Sequence, residues 1–192
     1  MIVSLNEVEV MATKAANGAG RPWGLAQEAG MAAARLEAVG LAGARCLLRL
    51  LEATDGETNL AGRCPVLEGA HLSDLGGADL PVTFDAMHQP LLLAPFLMQT
   101  GGDATLAWPD CAVEVSSGGI TISGSNSCPA SPVQVRIEPA AAASPSMRPG
   151  TGAVDIADEI WEALGRFAHR TYVPATEASR LKGAGAGLTD ND

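Results

Sequence analysis

Val113-Glu114-Val115-Ser116-Ser117-Gly118-Gly119-Ile120-Thr121-Ile122 alternates apolar and polar side chains on both sides of a Ser-Ser-Gly-Gly turn. A period of two puts Val113 and Val115 on one face of a strand and Ile120 and Ile122 on one face of the next. Glycine supplies the positive φ angles that a tight hairpin needs. The same period recurs in both directions. Leu80, Val82 and Phe84 alternate with polar neighbours, as do Leu106 and Trp108, and then Val133, Val135 and Ile137. Residues 78–138 are therefore predicted to hold about five short strands in a mostly antiparallel sheet. Pro81 has no N–H for a ladder, which confines the first strand to a sheet edge or Pro81 to its first positions.

Upstream the period changes to that of a helix. Ser4 and Glu7 have capping-box spacing, and Val8, Met11, Ala12, Ala15 and Ala16 fall on one face, predicting a helix over 5–16. Pro22 suits the first turn of a second helix with the stripe Ala26, Ala29, Ala33 and Leu36, stopped by Gly40. A third, with Leu41, Ala44, Leu48 and Leu51 on one side, ends at Asp55-Gly56. Residues 1–56 thus read as a helical layer. Downstream of the strands, 139–153 is rich in Ala, Pro, Ser and Gly and reads as a mobile connection. Residues 154–173 form an amphipathic helix with Ile156, Ile160, Leu164 and Phe167 inward, and 174–192 a glycine-rich acidic tail. Helices, then strands, then a helix describe one α+β domain over 1–192. The alternative is an α/β fold in which Val66-Leu67 and the Leu91 run are further buried strands.

The 192 residues are 47% hydrophobic and 18% charged, enough to build a core without staples. Twenty-two acidic residues against twelve basic ones give a net charge of −10, and the cations are scattered. Nucleic acid and anionic membrane surfaces are disfavoured as partners. The longest apolar run, Leu91 to Met98, is too short to span a bilayer and contains Pro95. Cys46, Cys64, Cys111 and Cys128 form no Cys-x-x-Cys pair, so free thiols, no metal and no cofactor are expected. The N-terminus lacks a basic stretch and carries Glu7 and Glu9, which leads to an expected cytoplasmic location.

The leading candidate site is Gly18-Ala19-Gly20-Arg21-Pro22-Trp23-Gly24. Amides at a helix start cradle anions, glycines let the anion approach, and Arg21 would add a bidentate contact. It is neither a Walker loop nor a dinucleotide fingerprint. The structural alternative is a tight helix-to-helix turn with Trp23 packed in the core. The tail is the second candidate, with Glu177 and Arg180 as polar anchors. His71, Asp85 and His88 form a third: Asp85 and His88 would share a face if their segment were helical, as zinc or general-base chemistry requires, but a segment this rich in Gly, Asp and Pro reads more readily as a solvated loop. The thiols read as inert, Cys46 as core.

Leu5-Asn6-Glu7-Val8-Glu9, Ala15-Ala16-Asn17-Gly18-Ala19-Gly20, Trp23-Gly24-Leu25-Ala26-Gln27-Glu28-Ala29-Gly30 and Tyr172-Val173-Pro174-Ala175-Thr176-Glu177-Ala178-Ser179-Arg180 resemble a bacterial family designated a domain of unknown function. The resemblance implies no activity. Three readings follow from the residues: a homo-oligomeric protein holding a small anionic metabolite near Gly18–Gly24 without chemistry; a small-molecule enzyme using His71, Asp85 and His88 with the tail as lid; or a structural subunit of a larger complex. Whether the chain is an enzyme stays open at the level of sequence.

Overall fold

Ser4 and Glu7 close the capping box that their spacing implies. The Glu7 amide donates to Ser4 Oγ at 3.2 Å, and the Ser4 amide donates to the Glu7 carboxylate at 2.8 Å. They start helix α1 (Leu5–Gly18), which follows a short strand β1 (Ile2–Ser4). The computed structural model describes residues 1–141, 146–147, 149–150 and 152–172. The tail candidates Glu177 and Arg180 lie outside them.

Helix α2 (Trp23–Ala38) is built to approach its neighbours closely. A Cβ on Gly30 would lie 2.1 Å from Thr13 Oγ1 and 2.7 Å from the Glu9 carbonyl oxygen, so α1 and α2 meet at backbone distance. Helix α3 (Gly43–Ala53) uses the same device, because a Cβ on Gly43 would strike the Ala33 carbonyl at 2.2 Å. The expected helical layer is therefore present. A fourth helix, α4 (Pro65–Asp74), extends it. Pro65 opens α4, where its missing N–H costs nothing.

The Leu91 run is not a strand. Pro90–Leu93 forms a 3₁₀ turn that continues into a short helix α5 (Ala94–Leu97). Leu91, Leu92, Leu93, Phe96 and Leu97 are wholly buried, and the segment touches α2, α3 and α4. Prolines at both helical starts explain the choice: each fixes φ near the helical value and denies a ladder its donor.

The five expected strands all form: β2 (Val82–Met87), β3 (Ala104–Trp108), β4 (Cys111–Ser116), β5 (Gly119–Gly124) and β6 (Val133–Pro139). Their order is β2-β6-β3-β4-β5, every pairing antiparallel. Ser116 pairs with Gly119 across the hairpin. β2 is an edge strand with Pro81 just before its first residue, and its register with β6 shifts between Phe84 and Met87. Leu106, Val113, Val115, Val135 and Ile137 are fully buried in the core that the sheet shares with the helices. Between them Glu114 and Arg136 alternate outward to solvent.

One expectation is corrected in the C-terminal third. Within the described part of 139–153, Met147 and Ile120 exchange both backbone hydrogen bonds at 2.9 Å, and the Gly150 amide donates to the Ala38 carbonyl at 2.8 Å. Ala153–Asp155 form a strand, β7, paired antiparallel with β1, so the last helix, α6, covers Asp158–His169 and not the whole of 154–173. Its inward face is Ile160, Leu164 and Phe167 as the spacing implies.

Candidate functional site

The corner between α1 and α2 does not present a guanidinium to solvent. Arg21 is buried, with 7% of its surface exposed, and its side chain turns inward. It donates to the Thr54 carbonyl at 3.1 Å, to the Thr54 hydroxyl, and more weakly to the Glu57 carbonyl at 3.4 Å. Burial of a cation without acceptor partners is costly, and three oxygens of the segment after α3 satisfy it. Arg21 therefore fastens that segment to the α1–α2 corner. Gly18 is likewise structural: a Cβ there would lie 1.8 Å from the Phe167 carbonyl oxygen. Gly20 takes a left-handed φ of 83°, which turns the chain from α1 into α2. Trp23, expected either in a site or in the core, is 60% exposed. Gly24 beside it faces open space.

The His–Asp constellation does not assemble. Residues 82–87 are a strand, so Asp85 points to solvent, where its carboxylate accepts from Gln134 Nε2 at 3.3 Å. His88 lies just beyond the strand end and is buried. Its Nε2 is 3.1 Å from an Arg63 guanidinium nitrogen, and Arg63 in turn pairs with Glu57 at 2.9 Å. Burial, aided by the Arg63 charge and opposed by Glu57, pushes the His88 pKa down. Because a guanidinium only donates, the facing Nε2 accepts from Arg63. His71 is exposed on α4. Among the described residues no three His, Cys, Asp or Glu side chains are grouped to hold a metal.

The thiol expectation is half right. Cys64 and Cys111 are free and buried, and burial pushes both thiols up, making them poor nucleophiles. Cys46 and Cys128 form a disulfide with Cα atoms 6.0 Å apart. No spacing motif signals a pair 82 residues apart.

What the sequence did not point to is a groove between α1 and α6 of about 310 Å³. Val10, Met11, Trp161, Ala168 and Tyr172 form its apolar wall, and Gly165 leaves it deep because no side chain rises there. Asn6, Glu7 and Lys14 supply its polar groups. Glu7 is already engaged by Ser4, whose amide and hydroxyl hold its carboxyl below the usual range. Lys14 makes no ion pair among the described residues. Seven residues separate Glu7 from Lys14, which is about 10 Å along a helix. Among the described residues the groove thus has a committed anion, Glu7, and a cation without an ion pair, Lys14. Its sequence signal was faint: Val10 widens the apolar stripe of α1, and Trp161 with Gly165 lies one turn apart beside the inward stripe of α6.

A smaller cleft of about 270 Å³ lies at the start of α3, beside Ala157 and Ile160. The Glu37 carboxylate reaches across it and accepts from the Ala44 amide at 2.9 Å. Burial raises its pKa against the opposing effects of the Ala44 and Gly43 amides and of Arg45. Glu37 is thus a distant cap for α3, an exchange of solvation for helix-terminal amides.

The chain is thus an α+β protein with helices on one face of an antiparallel sheet and an open groove between its first and last helices. Residues 3–74 match the family model described as a protein of unknown function (DUF3726). The match runs from β1 to the end of α4, so it takes in the α1 wall of the groove, while the α6 wall and the tail words lie beyond it. No curated protein and no solved structure matches the chain significantly. Among the described residues no helix is long and apolar enough to cross a membrane.

Proposed function

We infer that the protein is a non-catalytic binding module whose ligand is a small, largely apolar carboxylate held in the α1–α6 groove. The observation that carries this reading is Lys14, which makes no ion pair among the described residues and lines an apolar cleft of ligand size. The apolar wall supplies affinity by removing hydrocarbon from water, and Lys14 selects the charged end. Glu7 at the far end repels a carboxylate, which fixes one orientation. The anionic-metabolite reading is thereby kept and its site moved, since Arg21 is committed to the Thr54 and Glu57 oxygens. The enzyme reading loses support because His71, Asp85 and His88 face different surroundings.

Thermal-shift titration with hexanoate, octanoate and phenylacetate against their neutral amides tests the reading. The acids are expected to stabilise the chain more than the amides, and Lys14→Met to erase the difference. Equal shifts for acid and amide, or none, would overturn it. Self-association is a second reading, favoured by the indole of Trp23 standing in solvent. Light scattering of the native chain and of Trp23→Ser separates a monomer from an oligomer seated on that corner.

A further inference from the structure

We propose that Cys46–Cys128 is a reversible thiol–disulfide latch that docks the connection between β5 and β6 onto α3. That connection is held by side-chain donors as well as by the bond. Trp108 Nε1 donates to the Asn126 carbonyl at 2.7 Å, Arg49 to the Cys128 carbonyl at 2.5 Å, and Gln89 Nε2 to the Pro129 carbonyl at 2.7 Å. In the closed form these three donors, from β3, α3 and the turn after β2, seat the strap on α3 beside the disulfide and favour closure. The closed form also carries a cost. Gln89 has a left-handed φ of 41°, and its Oε1 is buried with no hydrogen-bond partner among the described residues. Strain and an unsatisfied acceptor lie directly beneath the strap, and opening it lets that amide reach water. Both closed and open forms thus have something in their favour.

The two sulfurs differ in access. Cys46 is wholly buried on α3, whereas Cys128 is half-buried in the connection. A small thiolate therefore attacks Cys128 Sγ, forming a mixed disulfide and expelling the Cys46 thiolate. Arg49, one turn on from Cys46 along α3, offers that leaving group a cation. A second thiol then attacks the external sulfur of the mixed disulfide. Cys128 is released as thiolate, both cysteines take up protons, and the two thiols leave as their own disulfide. Cys64 and Cys111, buried apart with raised pKa values, stay outside the exchange.

The test is equilibration of the native chain in reduced and oxidised glutathione buffers, followed by alkylation and intact mass. The expected result is two cysteines that interconvert with glutathione poise, mapped to Cys46 and Cys128, and two that do not. Amide exchange over 125–132 and at Gln89 should accelerate by more than an order of magnitude in the reduced form while α1 and α6 stay protected. Arg49→Met should slow reduction several-fold and leave folding intact, and Cys128→Ser should show the fast exchange in every buffer. Four alkylated thiols at all poises would overturn the proposal, as would a bond that glutathione opens only on unfolding. Unchanged exchange over 125–132 in a verified reduced form would overturn it as well.

Discussion

The α-carbon of Gly18 sits so close to the Phe167 carbonyl that a methyl group there would come within 1.8 Å of the oxygen. The obstacle is backbone, so it cannot swing aside as a side chain would, and the ends of α1 and α6 must part. Gly18→Ala is expected to cost about 3 kcal/mol, the upper range for overpacking. Gly24→Ala, at the same corner with open space around it, should stay within about 0.5 kcal/mol of the native chain. Urea denaturation of both variants checks the contrast. A small effect at Gly18 would mean that the α1–α6 contact yields.

Arg21 should matter for stability and not for ligand. Arg21→Met keeps the aliphatic stem and removes the donors for Thr54 and Glu57, leaving buried acceptors unmet. A loss of about 3 kcal/mol is expected, with carboxylate binding in the groove unchanged. Pairing it with Thr54→Val in a double-mutant cycle should give a coupling of about 1 kcal/mol or more.

The stability profile with pH should carry two opposite contributions. His88 has its folded pKa depressed below the ordinary 6.5, so the unfolded chain takes the proton first. Its contribution is present above 6.5 and is lost as pH falls through the folded pKa. Glu37 is raised above 4.5, so its contribution is full at low pH and is lost as pH rises through its folded pKa. His88→Gln, whose amide oxygen can still accept from Arg63, should flatten the fall below 6.5. Glu37→Gln, which keeps the acceptor for the Ala44 amide, should raise stability at neutral pH and nowhere lower it. Chemical denaturation at half-unit pH steps resolves the two.

Gly165→Ala should separate structure from binding. Its Cβ meets nothing within 4 Å, so the helix gains about 0.5–1 kcal/mol while the groove loses depth. A higher melting temperature with weaker carboxylate binding is the expected pair of results. Unchanged binding would place the ligand elsewhere.

The strands were legible because alternation and turn chemistry agree: Val113 and Val115 against Ile120 and Ile122, joined through Gly118-Gly119, admit one reading. α1 was legible for the same reason, with Ser4, Glu7 and the apolar stripe all pointing to one start. α4 was not. Gly69, His71 and Asp74 make 65–74 look like loop, yet a Cβ on Gly69 would lie 2.4 Å from the Phe96 ring, so the glycine is there for packing. Composition cannot tell a glycine that bends the chain from one that makes room. Nor can it tell whether an arginine faces in or out: Arg21 belongs to the fold because oxygens of the segment after α3, some thirty residues later, come to meet it. β1 and β7 are three residues each, too short to display a period.

Both rims of the five-stranded sheet are spoiled as templates. On one side Pro81 and the slipped register of β2 interrupt the row of free amides and carbonyls; on the other, Met147 already occupies Ile120 of β5. An incoming strand from a neighbouring molecule finds no long, straight row to extend. Growth of the sheet from chain to chain into fibrils is thereby discouraged, and the protein can be concentrated without relying on its charge alone to keep copies apart.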